Sequence, residues 1–155
     1  MADRVLPVAR KLIVCNDAAY SMIDDKAGVW RWQLTDVMSV AMFPPGISGD
    51  FDVERLWIYA QFTDAAGEFD LCVRMQRVRL QHGKEIIDEP IKQTSELARI
   101  DFADFPRLDT RDFAFEWLQV PFDTPGIFRF SVWSNYVQLP GATAELVVLD
   151  EKSSL

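Results

Sequence analysis

Between Lys11 and Leu149 the apolar residues of this chain recur at every second position, and almost nowhere at every third or fourth. A period of two is the pleat of a β-strand, whose alternate side chains point to opposite faces. Phe69, Leu71, Val73 and Met75 alternate with Asp70, Cys72, Arg74 and Gln76. Leu56, Ile58, Ala60 and Phe62 share one side of residues 54–63, and Trp30, Trp32 and Leu34 oppose Arg31, Gln33 and Thr35. Only Thr94-Ser95-Glu96-Leu97-Ala98-Arg99-Ile100 offers a helical turn, and it fits a strand equally well. Eleven Phe and five Trp suit half-buried pleated surfaces. The chain must therefore stack sheets.

Turn chemistry divides it. Asp24-Asp25-Lys26-Ala27-Gly28, Asp64-Ala65-Ala66-Gly67 and Gln81-His82-Gly83-Lys84 read as hairpin turns, and Asp123-Thr124-Pro125-Gly126 as a turn set by Pro and Gly. Phe43-Pro44-Pro45-Gly46 with Ser48-Gly49-Asp50 forms a longer loop, because paired prolines cannot remain in a ladder. Residues 10–22 open the fold as an apolar central strand, and 29–42 follow as one strand. Residues 127–139 and 143–149 close it as a hairpin across Leu139-Pro140-Gly141. The apolar phase slips between Met75 and Val78, which predicts a β-bulge with Gln76 or Arg77 unpaired, and shifts again near Trp117. The polar stretches 85–93 and 95–103 suit sheet edges.

The expected fold is all-β: an antiparallel β-sandwich of about eight or nine strands, Ig-like or C2-like, with little helix. A chain of 155 residues forms one domain, with its core over about 10–149 and short flexible termini. At this size about 69% of the unfolded surface is buried, so no disulfide or metal staple is needed.

Charge narrows the partners. Sixteen Lys+Arg against twenty-four Asp+Glu give a net charge of −8. Nucleic acid and anionic membranes both demand a basic footprint, so neither is expected as a partner. The one dense cationic stretch, Arg74, Arg77, Arg79 and Lys84, reads as a solvated strand face. No apolar run is long enough to span a bilayer, and the N-terminus lacks the apolar segment of a signal peptide. Cys15 and Cys72 sit in strand-like runs without a Cys-x-x-Cys motif, as reduced hydrophobes. A cytoplasmic location is expected.

Catalytic signals are absent. The single histidine, His82, falls at a hairpin tip that cannot hold a triad, and the glycines form no phosphate-binding loop. Twenty-four acids leave room for an unrecognised carboxylate site, but nothing selects a pair. No cofactor is implied. Asp24-Asp25, Asp50 with Asp52, Asp101 with Asp104, and Asp109 with Asp112 are acidic loops that turn chemistry explains before Ca²⁺ does. Zinc lacks its Cys and His ligands.

The aromatics say more. Trp57 and Tyr59 share a phase with Arg55 and Gln61, opposite Leu56, Ile58 and Phe62. Trp133 shares a phase with Arg129, Ser131 and Asn135. Large rings on polar faces are either covered by another segment or exposed to a partner. Trp57, Tyr59, Trp133, Arg55 and Arg129 are thus candidate partner-binding residues, expected to form one patch.

Three features resemble a bacterial family of small, stand-alone β-sandwich proteins catalogued as a domain of unknown function. They are the opening strand ending in Cys15-Asn16-Asp17, the Phe43-Pro44 pair, and the closing Pro125-Gly126-Ile127-Phe128-Arg129-Phe130 followed by Pro140-Gly141. The likeness covers about residues 10–149; residues 29–38 depart from it by being long and Trp-rich where the family has a short glycine-containing hairpin. It implies a sandwich fold and a bacterial cytoplasmic setting, and brings no catalytic residues. The expected function is a non-enzymatic protein–protein interaction or assembly module, with self-association included. A carbohydrate- or small-ligand-binding sandwich is the alternative, and a carboxylate enzyme ranks third.

Overall fold

The computed structural model describes residues 4–24, 26, 28–42, 51–88, 92–93, 97–102 and 109–150. The expected long Pro-rich loop, the stretch Thr94-Ser95-Glu96, the residues Asp25 and Asp104, and the chain ends lie outside them. Among the described residues there is no helix, and the strands form two sheets.

The first sheet is antiparallel and four-stranded. It contains β1 (Val8–Asp24), β2 (Val29–Val37), β4 (Phe51–Thr63) and β9 (Arg111–Phe122), in the order β2-β1-β4-β9. The second has the order β3-β12-β10-β5-β6, from β3 (Val40–Met42), β12 (Ala144–Leu149), β10 (Gly126–Ser134), β5 (Glu68–Gln81) and β6 (Lys84–Ile87). The short β7 (Lys92–Gln93) and β8 (Ala98–Asp101) also pair with β5, and β11 (Val137–Gln138) pairs with β10.

The inward rows meet as one apolar core, which is what defines a β-sandwich. Leu12, Val14, Leu56, Ile58, Ala60 and Phe62 come from the first sheet, and Leu71, Val73, Met75, Phe128, Phe130 and Leu146 from the second. Trp117 of β9 sets its edge against Phe130 of β10 at 5.9 Å, and Phe122 meets Phe128 at 5.0 Å. Rings buried this completely each cost about 3–5 kcal/mol when cut to alanine.

Most expected elements are present. The hairpin tip at His82-Gly83 is a two-residue turn with both φ angles positive, 53° and 75°, the geometry that matches strand twist. The phase change near Trp117 is absorbed at Gln119, whose φ is 53°, so that Trp117, Val120 and Phe122 all reach the core. β6, β7 and β8 lie in turn along one side of β5, where the polar segments were expected. The ambiguous helical stretch is strand from Ala98.

Four expectations are corrected. No bulge separates Met75 from Val78, since Gln76 pairs with Arg129 and Arg77 with Phe128 in unbroken register. Val78 is buried but stands outside the core that holds Met75: it lies on the outer face with Cys72 and Arg74, and the apparent slip is a second buried row. Asp64–Gly67 is not a hairpin turn, because β4 and β5 belong to different sheets. Turn residues encode a reversal, with φ of 54° at Asp64 and 98° at Gly67, but not whether the next strand pairs or crosses over. Residues 29–42 divide between the sheets, and β3 pairs in parallel with β12, so the sandwich is not wholly antiparallel. Residues 127–139 reverse at Asn135-Tyr136, so β11 and β12 both lie along β10.

Candidate functional site

The site begins with a mismatch of lengths. β1 runs 17 residues, yet it pairs with β4 only over Val8–Cys15. From Asp17 to Asp24 it pairs with β2 alone, so this part is a two-stranded ribbon. An isolated ribbon is marginal in water and needs an apolar face to bury. At Asn16-Asp17, both exposed, the row of β1 that faces the outer surface of the sheet passes from odd (Cys15) to even (Ala18) residues. Ala18 then joins Cys15 of β1 and Ala114 of β9 in a second, smaller core, against which Trp32, Leu34 and Trp57 pack. The ribbon thereby lays its even-numbered face over the outer surface of its own sheet.

Trp32 is the clasp. Its ring lies 6.4 Å from Trp57, 6.2 Å from Phe113 and 5.3 Å from Tyr20, and its Nε1 donates to the Asp112 carbonyl at 3.4 Å. Tyr20 in turn stacks on Trp30 at 5.6 Å. Farther along the ribbon the rings lose cover, leaving Tyr20 55% and Trp30 49% exposed.

Beneath them opens a cleft of about 940 Å³. Its lining includes Tyr20, Trp30 and Trp32 from the ribbon, Tyr59 and Gln61 from β4, Arg111 and Asp112 from β9, and Arg99 from β8. Tyr59 donates its hydroxyl to Asp112 Oδ2, and burial together with this carboxylate raises the phenol well above its ordinary pKa. Arg99 is held by Asp70 at 2.9 Å and Glu68 at 3.0 Å, which raises its pKa and lowers that of Asp70. Arg111 donates to the Asp101 carbonyl and lies over the Phe102 ring. Arg31 has no polar partner among the described residues.

The five residues expected to bind a partner are not brought together. Trp57, Tyr59 and Arg55 are on β4 in the first sheet, whereas Trp133 and Arg129 are on β10 in the second. Both groups point away from the shared core, so they occupy opposite faces of the sandwich. Each is also engaged within the chain. Trp57 is half-buried against Trp32, and Tyr59 is buried. Arg55 approaches Glu116 at 3.6 Å. The Arg74 guanidinium lies 4.5 Å from the Trp133 ring centroid, and Trp133 Nε1 donates to Ser131 Oγ at 2.8 Å. Arg129 reaches Glu145 and Glu85, which raises its pKa. The covering reading therefore describes most of these side chains.

The cationic stretch is no open face either. Arg74 is buried and bonded to the Asn135 carbonyl, Arg77 has a buried Nε, and Arg79 pairs with Asp88. Cys15 and Cys72 are buried free thiols on different sheets. Burial, with Asp17 nearby, raises Cys15 to about 11. Among the described residues no three His, Cys, Asp or Glu side chains cluster as metal ligands, and Asp112, from one acidic pair, accepts the Tyr59 hydroxyl through Oδ2.

The cleft residues Tyr20, Arg99 and Arg111 were not singled out by the sequence as a site, and Trp30 and Asp112 were read only as a strand-face residue and part of an acidic turn. A signal existed: Met22, Tyr20 and Ala18 face Trp30, Trp32 and Leu34 across the ribbon. That is an apolar stripe on a hairpin rather than a core strand. Neither a comparison with protein-family models nor one with curated proteins returns a match to this chain.

Proposed function

We propose that this chain is a non-enzymatic binding protein that takes a carbohydrate in the cleft beneath the β1–β2 ribbon. The observation carrying this reading is the pair of half-exposed rings, Tyr20 at 55% and Trp30 at 49%, stacked at the mouth of a polar cleft. Exposed rings held in place by their neighbours present flat apolar faces at little cost in conformational freedom. A pyranose offers the matching surface, with axial C–H groups on one face and hydroxyls around its edge. The Gln61 amide and Thr110 hydroxyl supply donors and acceptors for those hydroxyls, and Asp112 supplies an acceptor.

The volume, about 940 Å³, sits near the top of the range of roughly 300–1,000 Å³ for small-ligand sites, so it has room for more than one sugar ring. The residues first expected to anchor a protein interface are spent on internal contacts, which moves the weight to this alternative.

Titration of tryptophan fluorescence with a panel of neutral and acidic oligosaccharides tests the reading. Saturable quenching or enhancement is expected, with Trp30→Ala and Tyr20→Ala each weakening it tenfold or more at a nearly unchanged melting temperature. Failure of every oligosaccharide to bind, or binding undiminished in both variants, overturns it.

A further inference from the structure

The outer face of the second sheet is apolar along one line that crosses every strand of β3-β12-β10-β5-β6. Val40 of β3 pairs with Val147 of β12, Val147 with Ile127 of β10, Ile127 with Val78 of β5, and Val78 with Ile87 of β6. Two residues farther along the strands, Met42 pairs with Leu149, and Leu80 extends the band on β5. The residues of opposite phase, Ala41, Val148 and Phe128, pack in or against the core, so the band points away from it. Val78, at the centre, is 6% exposed. Toward the ends Val40 and Met42 are each 51% exposed, Ile87 45% and Leu80 71%. A sheet with one solvated face ordinarily sets polar residues outward. A contiguous apolar band on that face marks a place where something docks.

Charge and area together point to the occupant. Arg129, Glu145 and Glu85 border the band on the same face, and Arg129 forms ion pairs with both acids. One positive group and two negative ones leave a net −1 there, whereas the whole chain carries −8. This is therefore a surface on which two copies of an acidic chain can meet without opposing unpaired like charges. At about 4.8 Å between strands and about 3.3 Å per residue, five strands and the nine residues of β10 span roughly 24 by 30 Å, or ~700 Å². Two such faces give ~1,400 Å², within the range of roughly 1,200–2,000 Å² that specific interfaces bury.

We propose that this face is the interface of a homodimer, in which the apolar band of one copy packs on the same band of the other about a two-fold axis. The contact is isologous, so each aliphatic side chain is used twice, and the Arg129 cluster lies at the rim. The β1–β2 ribbon covers the outer surface of the first sheet, so the dimer leaves both clefts open on its far sides. The inference is independent of what the cleft takes.

Sedimentation equilibrium of the full chain between about 1 and 200 μM tests it. Expected is a rise in mass with concentration from 17.8 kDa toward twice that value. Raising salt from about 50 to 500 mM should tighten the dimer, because it screens the repulsion between two acidic bodies and leaves the apolar contact intact. Leu80→Lys and Val40→Lys should each weaken association about tenfold or more, since each places a charge against an apolar partner. Both side chains are exposed in the single copy, so the melting temperature at low concentration should stay nearly unchanged. Leu118→Lys, at a 42% exposed residue of β9 in the first sheet, is the control and should keep the dimer. A chain that stays monomeric throughout overturns the inference and leaves the band to a different protein. A dimer that dissociates as salt rises is held by ion pairs and overturns it as well. So does a dimer that survives both Lys variants on the band, or one that Leu118→Lys breaks, because it is built from another face.

Discussion

Replacing Trp32 with alanine asks whether the ribbon is held to its sheet in the way the ring contacts imply. The side chain is half-buried, and a Trp buries about 150–250 Å² when fully covered, so roughly 100 Å² is at stake here. At about 25 cal/mol per Å² that area is worth ~2.5 kcal/mol. The tilted and edge-on geometry against Tyr20, Trp57 and Phe113 adds about 0.5–1 kcal/mol beyond area. The 3.4 Å bond to the Asp112 carbonyl is exposed and long, and contributes little. The sum, about 3 kcal/mol, falls at the lower edge of Trp→Ala costs in closed cores. In a domain of this size 1 kcal/mol moves the melting temperature by about 2–4 °C, so a drop of ~6–12 °C is expected by circular dichroism. Trp30→Ala, at an exposed ring, should stay within about 0.5 kcal/mol of the parent. The ordering is the decisive result. If Trp32→Ala melts within ~2 °C of the parent, the ribbon does not depend on this clasp, and the account of how the cleft is built is wrong.

Gly141 has φ of 109° and an added Cβ would collide with the Ala9 carbonyl oxygen, whereas at Gly83 a Cβ meets nothing within 4 Å. Gly141→Ala should therefore abolish or severely weaken folding, while Gly83→Ala costs only the roughly 1 kcal/mol of a left-handed residue, both read by urea titration. The Cys15 thiol, raised from 9.0 to about 11, is the protonated form that the fold favours. Its contribution to stability is present in full below pH 9 and is lost as pH climbs toward 11, so the melting temperature should fall across that window and fall less in Cys15→Ala. In native buffer near pH 8 both buried thiols should label with an aromatic disulfide reagent only as fast as the protein opens; rapid labelling would contradict their burial.

The sandwich was legible because alternation reports one buried face per strand, and Leu56 to Phe62 or Phe128 to Val132 keep it without a break. What alternation cannot report is a strand buried on both faces. Cys72, Arg74 and Val78 are covered on the outside of β5 while Leu71, Val73 and Met75 are covered on the inside, and this double burial imitated a bulge. Pairing was equally hidden at Asp64–Gly67, where the same turn residues serve a hairpin or a crossing between sheets. The outward aromatics were located correctly by phase. Their neighbours were not, because proximity of Trp57 to Trp32 depends on where β1 bends, and nothing in the residues of β4 encodes that. Trp133 illustrates the limit from the other side: its phase is outward, yet the Arg74 guanidinium covers it from a neighbouring strand 59 residues away (133 − 74).

The cleft arises from a strand that outlasts its partner. β4 stops pairing with β1 at Cys15, and the remaining residues of β1 gain nothing from standing free in solvent. The change of phase at Asn16-Asp17 lets them turn their apolar side toward the sheet they have left. Small residues, Ala18 and Ala114, allow close approach near the bend, where the contact is dry. Farther out the even positions carry Tyr20, Trp30 and Trp32, whose bulk holds the two layers apart. A hairpin of the same length with small residues at those positions would lie flat and leave no cavity. One set of large rings thus stabilises the ribbon at its base and exposes aromatic faces at its tip, so the contacts that fold the segment are continuous with the surface proposed to bind.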